Sequence, residues 1–240
     1  MLTRFSLQVS LLRKQYRTDL VARLATLAFL GAGAAIVAIA ILRDLTRHLG
    51  VHIPFEAAFS LTRDRSVPEI FMYLCEATCS ASCLIRHRRT GEYAFLFMAL
   101  LFGFIVLDDA LSYHEVLGGI IVAHLGYLSP LLQSQETGEL ISWSIAALLL
   151  VPPLLWCLWH IRPGEVGVYL VFGLVFAILV FFAVGMDLAH SAVESILDPK
   201  ARMTKAVLRV VGWLEDGGEL IMVTVAAATG LLFARVPQST

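Results

Sequence analysis

Residues 24–42 read LATLAFLGAGAAIVAIAIL, and no charge falls between Arg23 and Arg43. A helix needs about 20 predominantly apolar residues to cross roughly 30 Å of hydrocarbon, and Val21–Leu42 supplies them. The composition agrees with that reading. The chain has 240 residues, 58% hydrophobic and 15% charged, whereas an ordinary soluble domain carries about 25% charged residues. The fold expected is therefore an all-α polytopic transmembrane helix bundle, with no separate soluble domain.

Further apolar segments lie downstream of the first. Read by length and by their charged borders, they predict about six spans, near 21–42, 68–85, 93 to beyond 115, 139–160, 166–196 and 211–234. Pro68 suits a first helical turn, and Arg86-His87-Arg88-Arg89 closes the second span. Pro152-Pro153 is expected to kink the fourth. Residues 1–20 mix Leu, Val and Phe with Arg4, Arg13, Lys14 and Arg17, a pattern for an interfacial amphipathic segment. Residues 21–240 then form a single transmembrane bundle. Ala38-Ile39-Ala40 resembles a cleavage site, but the apolar run is too long for a signal h-region, so it reads as a retained span.

Between spans, the patch Ile53–Phe59 is expected on the surface. Segment 118–138 is too short to cross and is expected as an interfacial or re-entrant lid. Basic residues near span ends favour a cytoplasmic N-terminus, with Lys200, Arg202, Lys205 and Arg209 counting against it. The expected location is a bacterial inner membrane. A net charge of −1 supplies no basic field to recruit nucleic acid. Cys75, Cys79 and Cys83 repeat every four residues on one stripe, which cannot be stapled to itself. They read as small residues for close helix packing, with a soft-metal thiolate stripe as the alternative.

The chemistry is carried by ionisable residues inside the spans. These are Glu76 in span two; Asp108, Asp109, His114 and Glu115 in span three; Asp187, His190 and Glu194 in span five; and Glu215, Asp216 and Glu219 in span six. A charge at a helix centre costs about 2.5–3.5 kcal/mol on the insertion scale, so something must compensate. Spacing shows that the groups are aimed. Asp187, His190 and Glu194 stand at i, i+3 and i+7, and Glu215 and Glu219 at i, i+4, each set on one helical stripe. Asp108, Ser112 and Glu115 are expected to share a face of one continuous helix, with His114 turned toward a neighbour.

Depth adds an independent constraint. At 1.5 Å per residue, Glu76 lies about 12 Å into span two, Asp108 and Asp187 about 15 Å from their span ends, and Glu219 about 10 Å into span six. With alternating direction, all four fall in the same half of the bilayer, the outer half for a cytoplasmic N-terminus. Gathered carboxylates repel one another unless cations intervene. Acids and imidazoles from facing helices evoke carboxylate-bridged metal bundles, and oxygen-rich donors with one or two His favour Fe, Mn or Zn.

The expected site is thus one or two divalent ions held among Glu76, Asp108, Asp109, His114, Glu115, Asp187, His190, Glu194, Glu215 and Glu219. Its function would be hydrolysis or di-metal oxidation of a lipid-like or small apolar substrate. A proton or cation transporter or channel is the alternative use of the same acids. A purely structural polar network, a haem held by His114 and His190, and solvated or salt-bridged Asp109, Glu194 and Asp216 are further readings. His124 and His160 read as boundary residues.

The segment Leu107–Glu115, LDDALSYHE, resembles a signature of a group of bacterial integral membrane proteins in which an Asp-Asp or Asp-Glu pair precedes His-Glu by four residues. Glu215-Asp216-Gly217-Gly218-Glu219 is similar to a second signature of that group. The resemblance implies a membrane bundle and no particular activity. The alkaline ceramidase-like membrane metal hydrolases use Ser-x3-His, Asp and His-x3-His for zinc, and only part of that pattern is present. Ser112 precedes His114 by two, and Asp187-x2-His190 replaces the His pair.

Overall fold

The computed structural model describes residues 2–51, 56–63, 65–125, 127, 135–197 and 201–237. The side chains of Asp187, Glu194 and Arg202 lie outside the described residues, as do Ile53–Phe55, most of segment 126–134, and Lys200. Nine α-helices make up the described chain: α1 (Leu2–Thr18), α2 (Leu20–His48), α3 (Val67–Thr90), α4 (Tyr93–Leu111), α5 (Tyr113–Leu125), α6 (Gln135–Trp159), α7 (Val166–Val180), α8 (Asp187–Ile196) and α9 (Arg202–Arg235). No strand occurs among the described residues. A π-helical segment, Phe181–Met186, joins α7 to α8, and a short 3₁₀ turn covers Glu56–Phe59.

Five helical stretches among the described residues are long and apolar enough to cross a membrane: Leu20–Arg47, Tyr93–Leu111, Thr137–Trp159, Val166–His190 and Met203–Arg235. The sixth expected span, α3, has 24 residues and the length to cross, but it is too polar to join them. The reason lies in its neighbours. Helix α3 packs between α4 and α9, so Cys75, Glu76, Cys79, Ser82, Cys83 and Arg86 are covered by protein. The helices that meet lipid instead expose apolar side chains, such as Leu24 and Leu27 on α2 and Leu148 and Leu149 on α6.

Helix α9 is the hub, touching α1, α2, α3, α7 and α8. Leu220, Val223, Thr224, Ala226, Ala227 and Phe233 are buried along it. The cysteine stripe of α3 faces this helix: Cys75 Sγ lies 3.7 Å from Thr224 Oγ1, and all three thiols are free and fully buried. Close packing by small residues is therefore their structural role. Local chemistry sets the ends of α3. Ser66 Oγ accepts from Glu69 N–H at its N-cap, and Gly91 closes it at φ +67°, a conformation that glycine adopts without strain. Arg86 and Arg89 then donate to the carbonyls of Val236 and Ala234, tying α3 to the end of α9.

The amphipathic first segment forms α1, docked on α7, α2 and α9. Asp19 caps α2 by accepting from Ala22 N–H at 3.0 Å. Its carboxylate also accepts from Arg235 Nε at 2.6 Å and Nη2 at 3.2 Å, which joins the start of α2 to the end of α9.

Two expectations about continuity are corrected. Span three is not one helix past Glu115, because it ends at Leu111 and Ser112 takes a left-handed turn at φ +48°. Asp108 therefore stands three residues, about 5 Å, from its helix end rather than 15 Å. Within segment 118–138, α5 packs along α6, and residues 126 and 128–134 lie outside the described residues. Span five is interrupted by the π segment, which shifts α8 in phase relative to α7. Helix α6 continues through Pro152-Pro153.

Helices α5 and α6 approach at Gly118 and Gly138. A Cβ on Gly138 would collide with the Gly118 carbonyl, and one on Gly118 would lie 2.8 Å from Glu139 N. Both neighbours are backbone and cannot rotate away, so Gly138→Ala should destabilise the α5–α6 pair by about 1–3 kcal/mol. Thermal melts of purified protein in detergent, against Gly119→Ala, whose nearest neighbour is a side-chain oxygen at 3.7 Å, measure this.

The Arg235 guanidinium and the Ala22 N–H hold the Asp19 carboxyl below its ordinary range. Its contribution is thus present above the unfolded value of about 3.9 and is lost as pH falls through the lowered folded value. Asp19→Asn should reduce stability at neutral pH and flatten the acid limb of a melting-temperature profile, which remains steeper in the parent.

Candidate functional site

The left-handed turn at Ser112 makes the site. The bend there brings the first turn of α5 against the last turn of α4. Asp108 Oδ1 accepts from His114 N–H at 3.0 Å, and Asp108 Oδ2 meets His114 Nδ1 at 2.9 Å. One buried carboxylate, only 2% exposed, thus caps α5 and holds the imidazole. With Oδ1 accepting a backbone proton, the pair is best satisfied when Nδ1–H donates to Oδ2. Nε2 is then the free lone pair. Trp143 of α6 lies against the same ring, with centroids 5.6 Å apart.

Asp109, next along α4, turns toward α3. Its carboxyl and that of Glu76 lie within hydrogen-bonding reach of each other. Glu76 is 1% exposed, and its Oε2 faces no hydrogen-bond partner among the described residues. Two carboxylates so placed repel unless a proton or a metal cation lies between them. Donor atoms of Asp108, Asp109 and His114 can be chosen within 4.8 Å of one another, a separation one ion can bridge. Tyr73 steadies the corner by donating to the Asp109 carbonyl at 3.2 Å.

These groups open on a cavity of about 670 Å³. Glu76, Asp109, His114 and Glu219 lie at its polar part. The remaining walls are mainly apolar, including Met72, Phe104, Trp143, Leu154, Phe176 and Val223.

A second polar group lies further toward the start of α9. His190 Nδ1 meets Glu215 Oε2 at 3.1 Å, Asp216 interacts electrostatically with His190, Glu215 and Asp44, and Asp44 accepts from Trp213 Nε1 at 2.9 Å and Arg43 Nη1 at 2.9 Å. The ten-residue site read from the sequence therefore divides. Glu76, Asp108, Asp109, His114 and Glu219 come together, and His190 with Glu215 forms a separate pair. Glu115 is exposed and does not share a face with Asp108, because the helix breaks between them. The side chains of Asp187 and Glu194 lie outside the described residues.

Sequence reading passed over Asp44, Arg43, Trp213 and Trp143. An acid and a base directly abutting an apolar span were the available signal for the first two. The tryptophans carried none, since an aromatic in a span reads equally well as a lipid contact. His124 and His160 are exposed, and their Nδ1 atoms meet the carbonyls of Ile120 and Trp156, one turn back.

The fold and the cluster define a helical bundle with membrane-span-like helices around a carboxylate–histidine group. Residues 66–234 match the family described as Domain of unknown function (DUF8692), and the chain belongs to that family. No curated protein and no solved structure matches the chain. The matched stretch runs from α3 through α9 and includes every member of the cavity cluster, whereas Arg43 and Asp44 fall before it.

Proposed function

We propose that the protein is an integral membrane metalloprotein. In this reading Asp108, Asp109 and His114 hold a divalent ion, with Glu76 and Glu219 facing it. The observation that carries the reading is the gathering of those donor atoms within 4.8 Å of one another, beside a fully buried Glu76 whose Oε2 has no donor among the described residues. A bound cation relieves the repulsion among these carboxylates. Oxygen-rich donors with one imidazole favour Fe, Mn or Zn, and such an ion supplies Lewis-acid or redox chemistry to a lipid-like substrate in the adjoining cavity.

The ends of α1 and α3 that carry Arg13, Arg17, Arg86, Arg88 and Arg89, with Arg235 at the end of α9, favour the cytoplasmic side. The site then belongs to the outer half of a bacterial inner membrane. A proton or cation path is the second reading. The His190–Glu215 pair, one turn along α9 from Glu219, supports it by extending the polar groups toward the bundle end.

Metal analysis of detergent-purified protein separates the two. The metalloprotein reading expects near-stoichiometric Fe, Mn or Zn. Asp109→Asn, which removes a charged ligand, should weaken metal affinity strongly, and Glu76→Gln, outside the ligand set, about 10–100-fold. Because the ligands must be deprotonated to bind, affinity should fall as pH is lowered. Folded, monodisperse protein that takes up none of the three metals, together with pH-driven flux in vesicles, overturns the metal reading in favour of transport.

A further inference from the structure

The cavity beside the cluster is walled by α6 on one side and by α7 with its π segment on the other. Yet α6 packs only against α4 and α5 among the described elements, and α7 packs against α1, α4, α9 and the π segment. No close backbone approach joins α6 to α7 among the described residues. Two helices that line one cavity at such a separation leave a slot between them. Exposed leucines on the outer faces of the bundle give that slot an apolar surround, so that it would open sideways into hydrocarbon.

The slot has a polarity gradient along its length. Trp143 of α6 lies against His114, at the polar end. Leu154, also a lining residue, is eleven positions further along α6, about 16 Å away. That is half the roughly 30 Å hydrocarbon thickness. Between them the lining offers Ala147 and Leu150 from α6 and Phe176, Val180 and Ala183 from the facing wall. The two alanines keep the channel wide enough for a chain. The volume falls within the range of sites for one drug-sized ligand.

We infer that the slot between α6 and α7 admits a single-chain lipid from the bilayer, tail along Ala147–Leu154 and head at Glu76 and His114. The head is an uncharged hydroxyl. This deepens the metalloprotein reading and rests on it: with an ion neutralising the carboxylates, neither a cationic nor an anionic head is called for. A hydroxyl can donate to Glu76 Oε2, which no described donor faces, while its oxygen turns toward the His114 side. An apolar chain that enters laterally has no need to leave the hydrocarbon before binding.

The test uses the full chain in detergent, a long-chain alcohol carrying a photoreactive diazirine near its tail, and peptide mapping of the adducts. Labelling is expected on α6 and α7 residues that line the slot, and unlabelled alcohol should compete it away. Ala147→Phe and Ala183→Phe each fill the channel from a different wall. Each should cut slot labelling at least fivefold while metal content stays at the parent level. Labelling confined to the outer lipid-facing surface, or unchanged by both variants in folded protein, overturns the inference. Metal bound without slot labelling defeats the slot and leaves the metalloprotein reading standing. Slot labelling in protein that holds no metal retains the access route and defeats the metal reading.

Discussion

Asp108 makes two hydrogen bonds to His114 with one side chain, and the site depends on both. It lies in the last turn of α4, where the chain must stop being a lipid-crossing helix. Its Oδ1 accepts the N–H of His114 and so places a negative charge at the N-terminus of α5, where the helix dipole favours it. Its Oδ2 holds the imidazole. Because Ser112 between them must take a left-handed conformation, costly for a residue with a Cβ, the reversal persists only while those two bonds compensate for it. Remove them and α5 loses its cap, His114 its direction, and the cavity one of its polar corners.

The second constraint is enclosure. Charged groups inside a membrane are tolerable only where protein surrounds them, and this fold assigns them accordingly. Helices α3 and α9 stand at the centre of the bundle and carry Glu76, Glu215 and Glu219. Helices α2 and α6 form the outer wall and are nearly free of acids within their spans. The small residues on α3 and α9, with Cys75 against Thr224, allow the inner helices to approach closely. That approach is what brings Glu76 to Asp109. Tight packing on one side of the bundle contrasts with the wider α6–α7 side, where the polar corner adjoins a mainly apolar cavity.

Much of this was legible along the chain. Apolar run length predicted each crossing helix, and counting residues from the span ends placed Glu76, Asp108, Asp187 and Glu219 in one half of the bilayer. Glu76, Asp108, Asp109 and Glu219 do belong to one neighbourhood. What could not be read was the direction of the acids at the boundaries. A stripe at i, i+3 and i+7 assigns residues to a face only if the helix is unbroken. Leu107–Glu115 offers no glycine or proline to announce a break, since Ser112 turns by virtue of Asp108 and not of its own preference. Glu115 was consequently placed with Asp108, from which the turn separates it. The π segment at Phe181–Met186 is equally silent, because an extra residue per turn leaves no compositional trace.

The sequence by itself determined that this chain forms long apolar helices able to cross a membrane, because hydrophobic length against bilayer thickness is a one-dimensional quantity. It also determined that uncompensated charge lies within those helices. The tertiary structure alone decided which charges meet. Pairing Asp108 with His114 required a left-handed turn, pairing Glu76 with Asp109 required α3 to pack against α4, and pairing His190 with Glu215 required α8 to turn back on α9. Each depends on distances between helices, which composition and periodicity do not carry.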